Sequence, residues 1–187
     1  MRTTLGEPTK IAYFCQNISS MKRYLYIVRH AKAEEGLPFF KDFERELTTP
    51  GMLDATRMGK FLADKGLKPD VLISSSAARA LQTAQLMAEQ LGYSNDHIQS
   101  NRDLYDNGPK SYLATVNTAP ESCQYLMVFG HNPDVSYFAE YLSNSNIGSM
   151  SKGSVVTIEF ENLEWAAVSA RTGKFISYDS PKQFKNQ

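Results

Sequence analysis

The sequence predicts an α/β fold, a three-layer α/β/α arrangement around a mostly parallel central sheet, and three observations carry that expectation. Short, almost wholly apolar runs at 24–28 (YLYIV), 70–74 (DVLIS) and 125–129 (YLMVF) have the length and composition of strands buried on both faces. Segments with helical spacing of apolar residues lie between and after them. Capping and turn residues mark the junctions. Strands alternating with helices make βαβ units, whose crossovers cover both faces of a parallel sheet.

Each element can be justified in chain order. The run at 24–28 is β-branched and aromatic, and a polar loop punctuated by aromatics follows over 32–48. Thr49 offers a capping hydroxyl and Pro50 suits a first helical turn, with Met58, Phe61 and Leu62 on one face and Gly66 as the stop. After the second strand, Ala77, Ala80, Leu81, Ala84, Met87, Ala88 and Leu91 keep helical spacing up to Gly92. A weaker strand is expected near Ile98 and a helix over 111–116. Pro133 opens a further helix carrying Val135, Phe138, Ala139 and Leu142. Alternating stretches at 154–160 and 165–170 predict a hairpin or two edge strands.

Composition narrows the function classes. Twenty basic and twenty acidic residues cancel, which argues against a nucleic-acid partner while leaving room for a local cationic pocket. No apolar run approaches the roughly 18 residues that span a bilayer, so no membrane partner is expected. Cys15 and Cys123 form no CxxC pattern, which favours a reducing, cytoplasmic setting over a disulfide framework or a zinc site. Residues 1–20 read as a polar extension without the features of a secretory signal, and 21–187 as a single domain.

Ligands of open α/β sheets bind beyond the carboxyl ends of the strands. Arg29 and His30 follow the first strong strand, Ser74, Ser75 and Ser76 the second, and Gly130 and His131 the third. Arg79 falls at the start of the helix after the second strand, where free backbone N–H groups favour an anion. A guanidinium can grip two phosphate oxygens at once. His30 is a candidate phosphoryl acceptor, and Arg29 and Arg79 would keep its imidazole neutral. An Arg–His pair at a strand end can also do no more than cap backbone carbonyls, and His131 allows the same bland account. The convergence of three strand ends on Arg29, His30, Arg79 and His131 outweighs each residue taken singly. His97, in a polar turn, reads as surface.

Three motifs then resemble a known family. Val28–Ala33 (VRHAKA), Ser75–Ala84 (SSAARALQTA) and Gly130–Pro133 (GHNP) are similar to the histidine-phosphatase superfamily, in its SixA-like phosphohistidine phosphatase branch. DFERELT at 42–48, Gly51, Asp54-Ala55, Pro69-Asp70 and Pro181-Lys182 add to the likeness, which covers roughly residues 22–182. The resemblance implies a phosphoglycerate-mutase-like fold. It also implies a nucleophile at His30, a phosphate pocket of Arg29, Arg79 and His131, and no metal or other cofactor.

Many members place a carboxylate acid between the two histidine motifs, and Asp106 in Leu104-Tyr105-Asp106-Asn107 is the nearest candidate. The alternative is that Asp106 is a turn residue. Arg45 and Lys32 could add positive potential at the rim or be solvated surface. The substrate implied is a phosphorylated protein carrying phosphohistidine. The alternatives are a small phosphomonoester with Asp106 as general acid, or a catalytically silent phosphate-binding domain.

Overall fold

The computed structural model describes residues 21–35 and 42–184; the expected extension at 1–20 and part of the loop after the first strand lie outside them. The six strands are β1 (Lys22–Arg29), β2 (Val71–Ser75), β3 (Gln99–Asn101), β4 (Tyr125–Gly130), β5 (Val155–Glu161) and β6 (Lys174–Asp179). The four α-helices are α1 (Thr49–Asp64), α2 (Ala78–Leu91), α3 (Pro109–Asn117) and α4 (Asp134–Ser143). The strand order is β3-β2-β4-β1-β5-β6. The first four strands in this order run parallel, and β5 is antiparallel to both of its neighbours.

Alternate side chains of the same strands feed two different cores, as the strand period of two requires. Leu25, Ile27, Ile73, Leu126 and Val128 face Tyr112 and Val116 of α3 and Val135, Phe138 and Leu142 of α4. Val28, Leu72, Met127 and Phe129 face Met58 and Leu62 of α1 and Ala84, Met87 and Leu91 of α2. The sheet is thus the middle of three layers, as the sequence predicts. Among the described residues no helix is long and apolar enough to cross a membrane.

Helix ends follow local chemistry. The cap of α1 is Thr48 and not Thr49: the Thr48 hydroxyl accepts the Gly51 amide at 3.2 Å, and Thr49 is already helical. Both threonines precede Pro50, so composition alone could not choose between them. α2 closes at Gly92 with φ 69°, the left-handed stop expected of glycine.

The 165–170 stretch corrects the predicted strand. Trp165–Ala167 forms a single 3-10 turn, and β6 lies further on at Lys174–Asp179. The alternation of Trp165 and Val168 records anchoring to the core instead of pleating. The indole N–H donates to the Cys123 carbonyl at 2.8 Å and the ring meets Phe160 edge-on. The Asn117 amide donates to the carbonyls of Trp165 and Val168, which a sheet ladder would otherwise use. β6 escapes detection because a partly exposed edge strand such as KFISYD carries little apolar signal.

Candidate active site

The parallel register places three strand ends side by side. Arg29 pairs with Gly130 across β1 and β4, and Ser74 with Phe129 across β2 and β4. The His30 amide donates to the Gly130 carbonyl at 3.0 Å, so the histidine begins where the ladder stops. Its ring lies 5.2 Å from that of His131, centroid to centroid. A Cβ at Gly130 would fall 1.7 Å from the Tyr112 hydroxyl, so only glycine allows β4 and α3 to approach this closely. That hydroxyl in turn donates to the Leu104 carbonyl at 2.8 Å and accepts the His131 amide at 3.2 Å.

His30 Nδ1 lies 2.7 Å from the Ala31 carbonyl, a contact that requires a proton on Nδ1. The neutral ring then carries a free lone pair on Nε2. Burial, and next the charges of Arg79, Arg29 and Lys152, hold its pKa down to about 3 against the opposing pull of the Ala31 bond. The pKa of His131 is likewise lowered to about 3, by burial and then by Arg79 and His30. Its Nε2 lies 2.9 Å from Ser75 Oγ. Both rings are therefore neutral at physiological pH, as the sequence expects of His30.

The arginines are held at one end only. Arg29 Nη1 donates to the Met150 carbonyl. Arg79 Nη1 and Nη2 donate to the backbone carbonyl and the Oδ2 of Asp42 at 2.6 and 2.9 Å. Among the described residues, Arg29 Nε, Arg79 Nε and His131 Nδ1 are buried without a hydrogen-bond partner. The two Nε–H groups are donors to which an oxyanion would be complementary. Thr83 ties this wall together, accepting from the Ala31 amide at 3.0 Å and donating to the Arg79 carbonyl. The turn 151–154 approaches from the other side, where the Gly153 amide donates to both the Arg29 and His30 carbonyls at 3.1 Å.

All four core residues expected from the sequence thus meet. Asp106 is placed differently: it is exposed in the turn after the 3-10 segment Arg102–Leu104. Its neighbour Tyr105 reaches the site, edge-on to His131 at 5.5 Å and donating to Asp42 Oδ2 at 2.7 Å. Arg45 also binds Asp42, through Nε at 2.9 Å and through Nη2, and donates to the Glu34 carbonyl. Sequence reading had Asp42 only as part of a similar motif and did not single out Tyr105 or Ser75 as site residues.

Residues 25–106, which include Arg29, His30 and Arg79, match the model of the histidine phosphatase superfamily (branch 1). An uncharacterized protein of Picosynechococcus sp. is 30% identical over 129 residues, covering 66% of this chain and 75% of that protein. The chain belongs to the histidine phosphatase superfamily. Among solved structures of this superfamily, the SixA assigned as a phosphohistidine phosphatase in Agrobacterium tumefaciens superposes with a TM-score of 0.70 at 25% identity. The match covers 85% of this chain and 98% of that one. The 2,3-bisphosphoglycerate-dependent phosphoglycerate mutase of Azorhizobium caulinodans is 36% identical, but over only 46% of this chain and 45% of the mutase. Histidine-phosphatase membership fits the geometry described above, and the SixA-type architecture accounts for nearly the whole length of that neighbour.

Proposed function

We propose that this chain is a metal-independent phosphatase that works through a covalent phosphohistidine on His30, with phosphohistidine on a protein as its substrate. The observation that carries the proposal is the gathering of His131 and the charges of Arg29 and Arg79 beside His30, whose Nδ1 is bound to the Ala31 carbonyl and whose Nε2 is left free. Family membership and the SixA-type architecture support a phosphatase in the broad sense.

In the first step the Nε2 lone pair of His30 forms a bond to phosphorus as the bond to the leaving atom breaks, and the leaving atom keeps that electron pair. Arg29, Arg79 and His131 hold the phosphoryl oxygens, where the charge sits in the transition state. The Nδ1–H of His30 stays on the Ala31 carbonyl throughout. Water then attacks phosphorus, the bond to Nε2 breaks, and inorganic phosphate leaves with the lone pair restored to His30. An imidazole protonated on its remote nitrogen departs from phosphohistidine as a neutral molecule and needs no proton from the protein. An alkoxide does need one. That difference favours a phosphoramidate substrate at a site where Asp106 stands exposed in a turn.

Turnover of an aryl phosphate is expected to persist in excess chelator and to vanish in His30→Ala. Rapid acid and base quenching after exposure to a labelled phosphodonor should reveal an acid-labile, base-stable phosphoprotein. Full activity in His30→Ala would overturn the assignment of His30 as nucleophile, and absence of such a phosphoprotein would favour a silent phosphate-binding domain. The second reading is a phosphomonoesterase with Asp106 as general acid. It requires Asp106→Asn to cut alkyl phosphate hydrolysis while sparing phosphohistidine.

A further inference from the structure

We propose that Asp42 is a specificity-determining residue, biasing the pocket toward substrates with a cationic or neutral leaving group and against those with an anionic one. The inference rests on the phosphate pocket described above and not on the identity of its natural substrate. Asp42 contacts the arginine that would hold the phosphoryl group: Arg79 Nη2 donates to Oδ2 at 2.9 Å and Nη1 to the backbone carbonyl at 2.6 Å. These contacts occupy the Nη edge of the guanidinium. The nitrogen left buried and unpartnered is Nε. A phosphoryl group on the Nε edge would leave Asp42 in its place, about one guanidinium away.

The carboxylate is fixed there from three directions. Tyr105 donates to Oδ2 at 2.7 Å and Arg45 Nε to Oδ1 at 2.9 Å, beside the Arg79 contact. Partial burial would raise its pKa, but hydrogen bonds from Tyr105 and Arg45 and the charges of Arg79 and Arg45 bring it down to about 2. Asp42 is thus an anion at any working pH and has no proton to give to a leaving group. Its side chain is 52% exposed while that of Arg79 is 6% exposed, so the negative charge sits on the solvent side of the phosphate grip. A leaving group passing this side of the pocket would meet this charge together with the Arg45 and Arg79 guanidiniums paired to it. At such a separation in a partly solvated site, one unit charge discriminates between leaving groups of opposite sign by about tenfold. Imidazole and imidazolium are on the favoured side of that sorting, and carboxylate-bearing phosphomonoesters on the other.

The test uses phenyl phosphates carrying a para trimethylammonium or a para carboxylate group, with kcat/KM measured for each. Asp42→Asn keeps an acceptor oxygen for Arg79 but removes the charge. It is expected to lower the cation-over-anion preference about tenfold, with the preference restored in Asp42→Glu and reduced by high salt in the unmodified protein. A preference that stays within about twofold of the original in Asp42→Asn would overturn the proposal. Should Asp42→Asn abolish turnover, calorimetric Kd values for the same two compounds on His30→Ala, with and without Asp42→Asn, read the same ratio. There too an unchanged ratio overturns it. A wild-type protein inert toward a phosphohistidine peptide but showing the Asp42-dependent ratio would sink the substrate reading alone. Phosphohistidine turnover with an unchanged ratio would sink this inference alone.

Discussion

Ser75 Oγ accepts the Ala77 amide at 3.4 Å and lies 2.9 Å from His131 Nε2. With its one hydrogen donated to Nε2, the proton of the neutral imidazole would sit on Nδ1, the buried nitrogen that faces no protein acceptor. In this tautomer His131 is a donor to a phosphoryl oxygen without being a cation. Ser75→Ala removes the hydroxyl that selects the tautomer, and kcat/KM for an aryl phosphate should fall about tenfold, the equivalent of one hydrogen bond. Steady-state kinetics on the variant checks this, and an unaltered kcat/KM would show that His131 needs no such selection. At this scale the sequence anticipated which side chains come together but not their orientation. His30, Arg29, Arg79 and His131 were legible because each stands at a strand end or helix start. Tyr105 was overlooked for its neighbour Asp106, since residue type in a short turn does not tell which of two adjacent side chains points inward.

Gly130 shows how an element reaches the site indirectly. The end of β4 passes so close to α3 that an added Cβ would lie 1.7 Å from the Tyr112 hydroxyl and 2.6 Å from its Cζ. Gly130→Ala must therefore move the Tyr112 ring, and with it the bonds to the Leu104 carbonyl and the His131 amide. We expect a loss of about 2 kcal/mol or more in chemical denaturation, together with reduced activity. Tyr112→Phe in the same chain removes the atom in worst conflict and should recover part of that stability. A Gly130→Ala protein as stable as the parent would contradict the close approach. The helices and buried strands were readable because their apolar periodicity is local. The 165–170 stretch misled because Trp165 and Val168 have strand-like spacing, while hydrogen bonds from Asn117, far away in sequence, set their backbone path. β6 was missed because pairing with β5, and not its own composition, makes it a strand.

Acid stability belongs to the molecule as a whole. His30 and His131 have pKa values of about 3 in the folded protein, against about 6.5 in an unfolded chain. Between these values the unfolded chain binds more protons, so stability rises with pH across that window. The contribution is complete above about pH 6.5 and is lost progressively as pH falls toward about 3. The Tm should accordingly drop from pH 7.5 to pH 4.5 by more in the parent than in a His30→Asn, His131→Asn double variant, read by thermal unfolding in matched buffers. Equal drops would mean that the two rings are not held neutral by burial.

The same contrast of scales separates what the sequence determined from what tertiary structure decided. The sequence by itself determined the alternation of strands and helices, the buried sheet, and the gathering of Arg29, His30, Arg79 and His131 at three strand ends, because apolar spacing and strand-end position are local properties. Tertiary structure decided which nitrogen of each ring and guanidinium faces the pocket, and that Asp42 with Tyr105, and not Asp106, closes one side of it. Those choices rest on hydrogen bonds between residues 42 and 79, 42 and 105, and 75 and 131. Partners so far apart in the chain are chosen only when the packed layers bring their loops together.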